Sequence, residues 1–275
     1  MKETRAEHLA VDKLRPFDGH PFKVVDNEEM DQLVFSILTQ GLLTPISVRP
    51  IENGEYEVIS GHRRLHACKK VGIETVPALI YTLDRDTATI AMVDSNLHRE
   101  KILPSEKAFA YKLKLDAMGH HGVTCGQVGH KSRDLLSEVD SGRQVQRYIR
   151  LTELIPEIMQ MVDDGKIALT PAVELSYLTK LEQQDLLETM ESEDCTPSLS
   201  QAVQIKRLSQ AGELDIDRIF DILREPKANQ KDKISFRMDD LRKFFPKSYS
   251  ASRIQGHILN LLEADLRKRQ RERSR

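Results

Sequence analysis

Apolar residues recur three and four positions apart over residues 28–40. Met30, Leu33, Val34, Ile37 and Leu38 fall on one face of a helix. Asp26 is placed to cap that helix and Gly41 to stop it. The period then falls to two. Ile46-Ser47-Val48-Arg49 alternates as a strand, Asn53-Gly54 is a hairpin turn signal, and Tyr56–Ile59 is the returning strand. A helix is predicted over 62–71, ended by Gly72, and a third strand over Val76–Tyr81. A helix over 85–94 leads into a loop at Asn96, and Pro104, suited to a first helical position, opens another helix to about Met118. Residues 1 to about 25, with Pro16 and Pro21, read as an extended arm.

Beyond Met118 the pattern changes. Gly119-His120-His121-Gly122 reads as a linker, and no strand is expected from there to Leu223. Short helices are separated by Pro156, Gly165, Pro171, Pro197 and Gly212. Lys227–Lys233 reads as a second linker, Ile234–Met238 as one strand, and 239–245 as a short helix. Ser250 caps a final helix striped by Ile254, Ile258, Leu261, Leu262 and Leu266. That stripe is either a core face or a partner helix. The expected class is α+β in three parts: a small mixed domain over 1–118, an all-helical domain over 119–226, and a strand-helix domain over 234–275.

Composition narrows the chemistry. Aromatics are 5% and tryptophan is absent, which argues against base-stacking platforms. The net charge of −2 hides a basic end, with six basic residues and one acidic residue from Arg267 to Arg275. This tail is either a solvated end or an arm for sequence-independent, salt-sensitive contact with nucleic acid. Cys68, Cys125 and Cys195 have no paired spacing, against zinc or disulfides. No apolar run is long enough to span a bilayer, so no membrane partner is expected and a cytoplasmic location is.

Two segments carry candidate chemistry. In Ser60-Gly61-His62-Arg63-Arg64 a strand runs into a glycine that opens a helix, and two guanidinium groups join the free N–H groups of its first turn. That is the chemistry of a polyphosphate site. The neighbouring arginines point about 100° apart. One faces a ligand while the other pairs structurally or meets a second phosphate. The competing reading is a solvated helix start. Further on, Lys131–Val139 reads as a short helix, Asp140-Ser141 as a turn and Gly142–Leu151 as a second helix. Arg143, Gln144, Gln146, Arg147 and Arg150 line the polar side of the second helix, as major-groove reading requires. Lys131, Ser132 and Arg133 are placed to meet phosphate at the start of the first helix. The competing reading is a solvated helix face. His120, His121 and His130 lack metal-ligand spacing and read as a polar loop.

Gly61-His62-Arg63-Arg64-Leu65-His66-Ala67, Ser95-Asn96-Leu97-His98-Arg99 and Pro104-Ser105-Glu106-Lys107-Ala108 together resemble the ParB family of DNA-partition proteins. Gly142–Leu151, supported by Pro171–Ser176, resembles the helix-turn-helix of plasmid- and conjugative-element-type members, although the link over 136–141 is about two residues short. The resemblance implies a ParB/sulfiredoxin-like N-terminal domain that binds CTP with Mg2+, closing a dimer as a clamp on DNA for chromosome or plasmid segregation. It implies nucleotide contacts at Ser60, Gly61, His62, Arg63, Arg64, Ala67, Ser95, Asn96 and Arg99, with Asn96 meeting Mg2+ through the nucleotide. It also implies double-stranded DNA as a partner, at a specific site and non-specifically. A ParA-type ATPase would be a second partner, engaged through Leu14–Phe22. Ser95 stands where the family has a glutamate, so the chain is expected to be at most a weak CTPase. The alternative is a transcriptional regulator of a mobile element that kept the fold and lost hydrolysis. Sulfiredoxin has Gly-Cys-His-Arg where this chain has Ser60-Gly61-His62-Arg63, so the thiolate chemistry is unavailable, and Cys68 is expected to be buried.

Overall fold

The computed structural model describes residues 5–99, 101–120, 139–225, 241, 243–246 and 249–273. The chain forms two compact units, Met1–Glu225 and Pro226–Arg275. The expected α+β class holds for the first unit.

Its sheet has strands β1 (Arg5–Ala10), β2 (Leu14–Arg15), β3 (Ile46–Pro50), β4 (Tyr56–Ser60) and β5 (Thr75–Ile80), ordered β1-β5-β3-β4-β2. The β3–β4 hairpin is antiparallel and turns through Asn53 at φ 62, a conformation asparagine tolerates. The N-terminal arm departs from expectation. Residues 5–10 pair antiparallel with β5, and Leu14 and Arg15 pair parallel with β4. The extended backbone was legible there, but not its partners, because edge strands show weak alternation. Leu14, Phe17 and Phe22 are buried in the core.

Helices cover both faces of the sheet. Helix α1 (Glu28–Gln40) and α2 (His62–Val71) pack on one side with Val48, Val58 and Cys68. Helix α3 (Arg85–Leu97) and α4 (Pro104–His120) pack on the other with Phe17, Phe22 and Ile59. Adjacent Val58 and Ile59 thus serve opposite cores, as strand geometry requires. Three local expectations change. The cap of α1 is Asn27, whose side chain accepts from the Met30 N–H, while Asp26 instead pairs with His66 and Lys70. Helix α3 continues past residue 94, so Asn96 lies in its last turn rather than in a loop. Helix α4 runs through Gly119 and His120 where a linker was expected.

A helical set follows: α5 (Gly142–Leu151), α6 (Pro156–Asp163), α7 (Leu169–Leu175), α8 (Lys180–Ser192), α9 (Leu199–Ala211) and α10 (Ile216–Arg224). No strand occurs among its described residues. Ser141 caps α5, and capping boxes at Thr179/Glu182 and Ser198/Gln201 open α8 and α9. Val145 of α5 packs in the same cluster as Tyr111 of α4, joining the helical set to the sheet-bearing part. The first helix expected over Lys131–Val139 falls almost wholly outside the described residues, with Lys131, Ser132 and Arg133, the strand at 234–238 and the linker at 227–233.

In the second unit α11 (Ala251–Arg273) starts at Ser250, whose hydroxyl accepts from the Arg253 N–H at 3.3 Å. Ile254 is buried, whereas Leu261, Leu262 and Leu266 are exposed.

Candidate functional site

The strand-to-helix junction at Gly61 is built as the sequence suggested. Gly61 caps α2 at φ 106, the left-handed region glycine adopts without strain. A Cβ there would stand 3.2 Å from the Arg64 guanidinium. The first turn of α2 carries no acidic residue and Gly61 supplies no side-chain cap, so its positive end is not neutralised locally.

The two arginines part as their angular separation requires. Arg64 turns inward and donates to the Thr44 carbonyl at 2.6 Å and the Pro45 carbonyl at 2.8 Å. Burial lowers its pKa. Arg63 faces a cavity of about 850 Å³ that Arg99 also lines. The cavity is walled by Lys23, Val25 and Asn27 from the arm, Glu29 from α1, His98 and Lys101 from the loop after α3, and Glu106 from α4. Arg99 lies over the Phe22 ring at 5.5 Å. Its pKa is lowered by burial first and by the Arg63 charge second, with Glu106 partly offsetting both. Two guanidinium groups that repel one another in a half-buried cavity form a site that favours an anion.

The other predicted residues sit behind this cavity. His62 is buried, and its Nε2 accepts from the Phe17 N–H at 3.3 Å. Its neutral ring therefore carries the proton on Nδ1, which has no hydrogen-bond partner. The His20 ring packs on it with centroids 3.8 Å apart. Burial, then the His20 and Arg99 charges, push the His62 pKa down to about 3. Burial chiefly brings His20 to about 4. Ala67 and Cys68 pack against the sheet, and Cys68 is a free buried thiol whose pKa burial raises. Ser60 ends β4 opposite Ser47. Ser95 donates its hydroxyl to the Met92 carbonyl at 2.9 Å. Asn96 is buried and its Nδ2 donates to the same carbonyl at 2.8 Å and to Ser95 Oγ at 3.3 Å. None of these residues lines the cavity; Arg63 and Arg99 of the predicted set do.

Sequence reasoning missed Lys23, Glu29, Lys101 and Glu106. Glu106 alone lay in a quoted motif. The Lys23 signal was hidden because the arm gave no hint that it folds back over α4.

The cavity fits a polyphosphate, since Lys23, Arg63, Arg99 and Lys101 line one opening. Its carboxylates are already engaged. Glu106 accepts from two backbone N–H groups, and Glu29 pairs with Arg63 at 3.3 Å. Asn96, with Nδ2 committed, offers a cation only its amide oxygen.

On α5, Arg143 is exposed. Gln144 accepts from Arg147 Nη1 at 3.2 Å, and Arg147 Nη2 donates to Thr170 Oγ1 at 2.6 Å. Arg150 donates to the Ser176 carbonyl at 2.8 Å and stacks on Tyr177 at 4.2 Å. Gln146 is half-buried. Val145, Tyr148 and Ile149 face the core as their spacing predicts. No described helix is long and apolar enough to cross a membrane.

A C-terminally truncated chromosome-partitioning protein ParB from Caulobacter crescentus, complexed to the centromeric parS site, matches at TM-score 0.45 and 20% identity, over 80% of this chain and 100% of that one. A nucleoid occlusion protein of Geobacillus kaustophilus is 40% identical over 113 residues, covering 40% of this chain and 40% of the relative. One from Listeria innocua is 32% identical over 189 residues, covering 68% of this chain and 63% of the relative. The chain therefore spans less than two thirds of the length of these curated relatives. Residues 1–97 match the ParB N-terminal domain model. That match spans the sheet and the Arg63 wall of the cationic cavity, so the chain carries an N-terminal domain of the ParB type.

Proposed function

We propose that this chain binds a nucleoside triphosphate in the cavity between α1, α2 and the loop after α3, and that occupancy governs its hold on duplex DNA. The carrying observation is the convergence of Arg63, in the first turn of α2, and Arg99, with Lys23 and Lys101, on one opening. The match to the ParB N-terminal domain favours CTP as the nucleotide, a dimeric clamp as the assembly, and DNA segregation as the role. In this reading Arg63 and Arg99 bind phosphate oxygens, and Arg64 fixes the 44–45 loop. His62 fixes the arm that carries Lys23. Bound Mg2+ would neutralise phosphate charge; Asn96, the contact the resemblance implies, is buried and does not line the cavity. Hydrolysis would be slow at most, because the Ser95 hydroxyl is turned to a main-chain carbonyl and is no general base.

Duplex contact would use α5. Arg143 and Gln146 suit base edges, while Arg147 and Arg150, tied to Thr170 and Ser176, suit phosphates. The arm's role with a ParA-type ATPase narrows, because Leu14, Phe17 and Phe22 are buried. Such a partner would meet Arg15, Pro16, Asp18 and Gly19.

Titration calorimetry with Mg-CTP, Mg-ATP and Mg-GTP, on the wild type and Arg99→Ala, tests the reading. Binding of one nucleotide, lost in the variant, is the expected result. Absence of binding to all three, with DNA affinity indifferent to nucleotide, would remove the nucleotide half of the proposal.

A second reading, DNA-bound regulation without segregation, is favoured by Ser95 and by the nucleoid occlusion proteins among the relatives. Retention of replicons in cells lacking the chain, with altered division or transcription, would select it.

A further inference from the structure

We propose that Glu106 is an internal anion that ties two segments of the cavity wall together, and that an incoming triphosphate must displace it. The inference rests on the nucleotide reading above and deepens it. Glu106 is 8% exposed and lines the cavity. Its Oε1 accepts from the Lys23 N–H at 2.8 Å, and its Oε2 accepts from the Leu103 N–H at 3.1 Å. Those two amides belong to different segments of the wall, the arm and the loop after α3. One carboxylate therefore ties the segments together. Its charge also favours the ionised form of Arg99.

Backbone N–H groups and guanidinium are the donors that phosphate oxygens take. Glu106 already occupies that chemistry. A triphosphate drawn to Arg63 and Arg99 thus brings like charge against a carboxylate that water screens poorly. Glu29 stands in a similar relation to Arg63, at 3.3 Å, but it is exposed and can swing into solvent. Glu106 is buried and can leave its place only by giving up both amides. Its neighbours fix the backbone that carries it. Ser105 donates its N–H and its hydroxyl to Asp163 of α6, and Lys107 pairs with Asp140 at 2.8 Å. The side chain of Glu106, rather than α4, is the part that yields, and its release frees the arm from the loop.

The test is titration of the full chain with Mg-CTP and, separately, with inorganic tripolyphosphate, comparing wild type with Glu106→Gln. The amide keeps one acceptor and removes the charge. Glu106→Gln should bind both probes about three- to tenfold more tightly and melt at a lower temperature. Affinity equal to or weaker than wild type, in a variant that still melts cooperatively, overturns the inference and leaves the nucleotide reading standing. A wild type that binds neither probe overturns both. Should Glu106→Gln fail to fold, Glu106→Asp replaces it, because the shorter carboxylate reaches one of the two amides. It should bind tripolyphosphate about two- to threefold more tightly, and weaker binding overturns the inference equally.

Discussion

The cavity and helix α5 are both rich in arginine, yet they hold their charge in opposite ways. In the cavity, burial and the Arg63 charge oppose the charge of Arg99, and the counter-charges beside the pair are two carboxylates of the same chain. On α5, Arg147 and Arg150 already donate to Thr170, Gln144 and the Ser176 carbonyl. The first arrangement leaves electrostatic energy for a ligand to recover. The second uses the same side chain as a strut for neighbouring helices. An arginine count cannot separate the two, because the difference lies in which acceptors tertiary packing supplies.

The largest expected effect breaks the cavity's support rather than its cations. His62 and His20 are neutral in the fold, with pKa values near 3 and 4 against 6.5 for a free imidazole. A folded pKa below the unfolded one means that the unfolded chain takes up protons first. Stability is therefore full above pH 6.5 and is lost as pH falls from there towards 4. Between pH 6.5 and 5 the unfolding free energy should fall by about 2–3 kcal/mol. Chemical denaturation across that range measures it. A flat profile, or a His62→Gln variant with the same acid limb, would remove the buried pair as its origin.

Next in size, Arg99→Ala should weaken Mg-nucleotide binding about thirtyfold, near 2 kcal/mol. Unfolding free energy should hold or rise slightly, since burial and Arg63 both oppose the charge of Arg99. Arg150→Ala should do the reverse, costing about 1–2 kcal/mol of stability with nucleotide affinity unchanged. If Arg99→Ala destabilised the fold as much as Arg150→Ala, the contrast between unspent and spent charge would collapse.

How much of this was readable in the sequence depends on range. Short-range geometry was legible. The Gly61 turn, α2, α5 and the angular divergence of Arg63 from Arg64 all follow from spacing within about one helical turn. The candidate site was half legible, since Arg63 and Arg99 lie in motifs. Lys23 and Glu106 are 83 positions apart and meet only because the arm folds over α4. Nothing in the local pattern of residues 1–25 encodes that approach. His62 shows the same limit from the other side. Beside two arginines it read as a phosphate neighbour, but the fold turns it inward to accept the Phe17 N–H. Leu38 sits on the predicted apolar face of α1 and is nevertheless exposed.

The smallest expected change is the most discriminating for α5. Arg143 is exposed, and among the described residues no hydrogen bond or ion pair involves its side chain. Arg143→Ala should alter unfolding free energy by less than about 0.5 kcal/mol. If α5 enters a major groove, the same substitution should cost about 1–3 kcal/mol at one base position and flatten selectivity there. Arg147→Ala should instead weaken binding to all sequences alike and lower the dependence on salt by about one ion. Competition binding against single-base variants of a selected site, repeated at two salt concentrations, separates these outcomes. A uniform loss from Arg143→Ala would make it a phosphate contact and move base reading elsewhere on the helix. An unchanged affinity would mean that α5, like its two tied arginines, serves packing before recognition.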